Sequence, residues 1–107
     1  MPFLVPSAFP TQLQAANVTN STEALMLVWQ PIPVHRRHGI VLGYKILYRK
    51  TNESIFITKP VNSNSVALQL TKLEKFTKYE VGILAFTVKG DGPRSQLRTF
   101  LTSEDGK

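Results

Sequence analysis

Apolar residues in this chain recur at every second position in short runs, and no window holds the helical period of about 3.6 residues long enough to form a helix. In Ala24–Trp29, the side chains of Leu25, Leu27 and Trp29 share one face. Across Leu42–Lys50, Tyr44, Ile46 and Tyr48 point one way and Lys45, Leu47 and Arg49 the other. Tyr79, Val81, Ile83 and Ala85 line the inner face of the longest run. Gln12–Val18, Ser54–Thr58, a run set by Val66, Leu68 and Leu70, and a closing run Leu97–Thr102 bring the expected strands to seven, separated by Gly, Pro, Asn and Ser. Many short alternating strands, each with one apolar face, predict an antiparallel two-sheet sandwich.

The 107 residues suit one domain. At this mass, surface scaling buries about 65% of the unfolded area, enough for a core without covalent staples. Pro2, Pro6 and Pro10 interrupt the first ten residues, which have no period. The expected layout is therefore a linker over residues 1–10, a domain over 11–102 and a C-terminal linker over 103–107. Met1–Pro6 is too short and proline-broken for a signal peptide, and no apolar run approaches the ~20 residues of a membrane span. No direct membrane insertion by this segment is expected.

Catalysis fails on inventory. The chain has no cysteine, which removes a disulfide framework, a thiolate metal site and a thiol nucleophile together. It has no phosphate-binding glycine loop, nucleophile elbow or His-Glu-x-x-His motif, and its few carboxylates are scattered. The two histidines, His35 and His38, fall short of the three or four ligands a zinc site needs. No cofactor and no metal are expected. Thirteen Lys and Arg against seven Asp and Glu give a net charge of +6, which would attract polyanions. Tyr44, Tyr48 and Tyr79 are expected inside, however, so no stacking platform for nucleic acid remains.

Two features sharpen the fold. Trp29 lies on the second strand without a cysteine pair, so an indole rather than a disulfide pins the sheets. Leu73, six residues before Tyr79, fits a corner in which the phenol hydroxyl bonds to upstream backbone. With Trp29-Gln30-Pro31, Gly43 through Arg49, Leu73 through Ala85, and Gly90-Asp91-Gly92-Pro93-Arg94-Ser95 in order, the chain resembles a fibronectin type III domain from Ala8 to Asp105. The resemblance implies an all-β, seven-stranded antiparallel immunoglobulin-like sandwich with Trp29, Tyr44, Leu73 and Tyr79 as structural core. It implies one non-enzymatic module of a tandem array, of the kind found in receptor tyrosine phosphatases and neural adhesion receptors. Such a module would sit on the extracellular face of the plasma membrane, or be secreted, and bind a protein ligand or neighbouring modules.

Asn17, Asn20 and Asn52 each open an Asn-x-Ser/Thr acceptor at an expected turn or strand end, which suits glycosylation in that compartment. His35, Arg36, Arg37 and His38 form a cationic loop, with Lys45 and Arg49 on the next strand. Together they suggest an alternative function, binding of sulfated glycan such as heparan sulfate. Lys89-Gly90-Asp91 resembles an integrin-binding tripeptide, but glycine and proline at that place also serve a tight turn. Leu47, Leu84, Phe86 and Leu101 are expected to lie side by side on the outer face, as a contact patch for a partner.

Overall fold

The computed structural model describes residues 4–18 and 22–104, and these form two antiparallel sheets. The first holds β1 (Thr11–Asn17), β2 (Leu25–Gln30) and β5 (Ala67–Leu70) in the order β1-β2-β5. The second holds β3 (Gly43–Lys50), β4 (Ile57–Asn62) and β6 (Lys78–Thr87), with β7 (Gly90–Asp91) and β8 (Arg98–Leu101) both paired to β6. A 3-10 turn, Val34–Arg36, interrupts the β2–β3 loop. The closing strand expected at Leu97–Thr102 is β8, and the short β7 is separated from it by a stretch that holds Pro93, which lacks the N–H a regular ladder needs.

The inner faces follow the alternation. Leu25, Leu27 and Trp29 pack against Tyr44, Ile46, Tyr48, Tyr79, Val81 and Ile83 to make one core. Trp29 and Tyr44 meet edge to face with ring centroids 5.7 Å apart, an arrangement aromatic quadrupoles favour. The Trp29 Nε1 donor is buried without a hydrogen-bond partner. At the other end of the core, the Glu74 N–H donates to Tyr79 Oη at 2.8 Å, and Leu73 is buried beneath it.

Two expectations are corrected. The strand placed at Ser54–Thr58 lies instead at Ile57–Asn62, pairing Ile57 with Tyr48 and Asn62 with Gly43. Pro60 sits inside it, which is tolerated because β4 bonds only to β3 and is an edge strand. Residues 4–10, expected as a linker, are packed onto the domain. Leu4 N donates to His38 O and Ser7 N to Arg36 O, both at 2.9 Å, and the Thr87 hydroxyl donates to Leu4 O. Pro6 and Pro10 are fully buried. Pro6 needs Gly92 opposite it, where a Cβ would stand 2.9 Å from the Pro6 carbonyl oxygen.

Candidate functional site

The outer face of the five-stranded sheet is covered by its own cations. Glu80 faces Arg49 across the register, and Arg49 Nε donates to its carboxylate at 3.0 Å. The same guanidinium lies 4.3 Å from the Phe56 ring centroid, with Arg94 5.9 Å from that ring. Gly82 leaves room for this, since a Cβ there would meet the Arg94 side chain at 3.0 Å. Lys45 lies 5.0 Å from the Phe86 centroid while ion-paired to Asp91 at 2.8 Å. Aliphatic stems and cation–π contacts of this kind shield apolar surface from water.

The four expected contact residues therefore do not make one patch. Leu84 is only 7% exposed. Gly92 N bonds to Ala85 O and Ser95 N to Ile83 O, each at 2.8 Å, so the 92–95 stretch runs along one flank of Leu84 while β3 occupies the other. Leu47 and Phe86 are half-buried. Leu101 is exposed but pairs with Lys78, at the far end of β6. A polar row of Arg49, Glu80 and Thr99 lies between it and Leu47.

The basic loop is also committed internally. Arg36 donates to Ser7 Oγ at 2.7 Å and to Ser7 O at 2.9 Å, and His38 Nε2 lies 2.8 Å from the same hydroxyl. Arg37 donates to Ile32 O at 3.0 Å. His35 is exposed on the 3-10 turn. Lys45 and Arg49 are spent on Asp91 and Glu80, away from the loop. The six glycan-site candidates are dispersed rather than convergent. Asp91 of the Lys89-Gly90-Asp91 turn is tied to Lys45 in the same way. Among the acceptor asparagines, Asn17 is exposed at the end of β1 and Asn52 in the β3–β4 turn, and Asn20 lies outside the described residues.

Sequence reasoning missed what gathers at the pole where β6 ends. Ile40 and Val88 are each 71% exposed, on segments bonded to exposed Leu4 and Leu42, and Val34, 75% exposed, stands on the 3-10 turn of the same loop as Ile40. Backbone bonds hold these pieces together: Leu4 N to His38 O, and Leu42 N to Phe86 O, each at 2.9 Å. The residues come from two loops and the N-terminal segment with no shared period, so no sequence window shows them. Below the opposite end, a cleft of about 410 Å³ opens between the sheets. Its walls include Tyr48, Ile57, Lys59, Lys72 and Tyr79, with the Lys50–Glu74 ion pair at its rim. Burial raises the hydroxyl pKa of Tyr44, Tyr48 and Tyr79, the Arg37 cation partly opposing this at Tyr44. Among the described residues no group of three or more His, Cys, Asp or Glu could hold a metal, and no helix is long and apolar enough to cross a membrane.

This geometry is an immunoglobulin-like sandwich of two antiparallel sheets around one core. The family described as Fibronectin type III domain matches residues 8–100, and the chain belongs to that family. It is 36% identical to receptor-type tyrosine-protein phosphatase F of Danio rerio over 102 residues, covering 92% of the chain and 5% of that protein. It is 32% identical to the cell adhesion molecule DSCAM of Homo sapiens over 103 residues, covering 94% of the chain and 5% of that protein. The solution structure of the third fibronectin III domain of human KIAA0343 protein superposes with a TM-score of 0.84 at 27% identity, over 96% of this chain and 87% of that one. The chain thus spans about a twentieth of the length of these two relatives. Domains of this family bind and space; they are not catalysts.

Proposed function

We propose that this module is an extracellular protein-contact and spacing unit of an adhesion or signalling receptor, and that it meets its partner through the apolar pole. The exposed cluster of Val34, Ile40 and Val88 on hydrogen-bonded loops carries this reading. Contiguous apolar surface on a monomer marks a contact site more often than scattered leucines do. Because the core fixes the loops beforehand, little entropy is lost on docking. The similarity to a receptor phosphatase and an adhesion molecule supports the compartment and the class of partner, a protein surface or a neighbouring module.

The test is multivalent display of the module, tethered at its C-terminal end, on cells. Thr102 bonds to Thr77 at the end of the domain away from Val88, so the pole stays free. Apolar docking should persist at high salt, where exposed charge pairs are screened. A Val34→Asp/Ile40→Asp/Val88→Asp variant should bind at least about tenfold more weakly through lost avidity. Equal binding by the variant, or binding that vanishes with salt, would overturn the reading.

A further inference from the structure

The three-stranded sheet differs from the rest of the molecule in one respect. Its strands of seven, six and four residues contain no Asp, Glu, Lys, Arg or His, in a chain with a net charge of +6. Outward from it, beside the exposed Thr11–Gln30 pair, stand two three-residue rows fixed by the register, Gln14–Val28–Ala67 and Ala16–Met26–Gln69. All six residues are exposed, Met26 by 36% and Val28 by 42%.

These rows form a pattern with its own approximate two-fold symmetry. Long glutamines occupy two opposite corners, small alanines the other two, and Val28 and Met26 the centre. A copy turned over by a two-fold axis along β2 sets β1 over β5 of its mate. Gln14 then stands over Ala67, Gln69 over Ala16, and the two central side chains over their own equivalents. Turning it about the axis across the strands again places each glutamine over an alanine. Large meets small, apolar meets apolar, and each amide offers both donor and acceptor groups. The opposite sheet carries Lys45 and Arg49, ion-paired to Asp91 and Glu80, together with Lys78, whereas this face holds no charge to repel a like-charged copy.

We propose that this face is a self-complementary docking surface for a second copy of the chain. Six mostly small side chains bury far less than the ~800 Å² per partner of a standard interface. Isolated copies should associate weakly, with Kd on the order of 1 mM, and clustered copies strongly through avidity.

The experiment is a dilution series of the whole chain, followed by NMR of the Met26 and Val28 methyls and of the backbone amides, with sedimentation in parallel. Concentration-dependent shifts are expected on β1, β2 and β5, with an apparent mass that rises toward the dimer. Met26→Lys/Val28→Lys should abolish both by placing charge at the centre. Ala16→Gln/Ala67→Gln should abolish both without charge, by filling the hollows. Either variant must keep the dispersed amide spectrum of the folded module. Ile40→Asp/Val88→Asp should leave the self-association intact, which separates this surface from the pole. No concentration dependence up to several times about 1 mM, shifts confined to the pole, or full association in the alanine-filled variant would each overturn the proposal.

Discussion

Trp29 and Tyr79 show how differently two buried aromatics hold the fold. Trp29 contributes volume: its indole fills the space between sheets against Tyr44, and its N–H finds no partner. Trp29→Ala should cost about 3–5 kcal/mol, through lost transfer energy and the cavity left behind. A thermal melt that barely moves would show that the inter-sheet contact lies elsewhere. Tyr79 contributes an oxygen. Its hydroxyl accepts from Glu74 N at 2.8 Å, fixing the loop that leads into β6. Tyr79→Phe keeps the ring but strands that partly buried N–H, an effect of about 1–3 kcal/mol. The loss should appear in urea unfolding as a lower midpoint with an unchanged slope. Gly43 sets a third kind of limit, since a Cβ there would collide with the Val61 backbone oxygen on β4.

At the scale of elements, alternation made β2, β3 and β6 legible, because a strand with one buried face writes that face at every second residue. The strand expected at Ser54–Thr58 lies at Ile57–Asn62, where Pro60 stands inside an edge strand that tolerates it. The surface was less legible, for a physical reason. Leu84 points outward by period, yet the aperiodic stretch 92–95 and strand β3 enclose it. Phe56 and Arg94 reach the outer face from irregular chain, and the apolar pole is assembled from two loops and the N-terminal segment. Residues 4–10 show the same limit, because prolines and missing period describe both a loose linker and a strap docked by its backbone. Arg36 joins that strap to the β2–β3 loop through Ser7. Arg36→Ser should therefore speed hydrogen exchange at the Leu4 and Ser7 amides by about tenfold while leaving β6 amides unchanged, since exchange reports local opening. Uniform acceleration would mean that the strap and core open together.

Across the whole molecule, the three tyrosines on the inner face of the larger sheet make stability fall at alkaline pH. Burial raises each hydroxyl above its ordinary 10.0. The folded state therefore holds these protons more tightly than the unfolded chain does. Their contribution is fully present below pH 10 and declines as pH climbs from there through the raised folded values. Other side chains change charge in the same alkaline range, so the wild-type curve alone does not isolate the tyrosines. Comparison with Tyr48→Phe does, because that change leaves those side chains in place. Urea midpoints should hold steady from neutrality to near pH 9 and then drop in both proteins, more shallowly in the variant. In the wild type, tyrosinate absorbance should rise together with loss of native structure, since the buried rings ionise chiefly on unfolding. Parallel curves for the two proteins would show that Tyr48 keeps an ordinary affinity for its proton, and that the cleft beside it admits water freely.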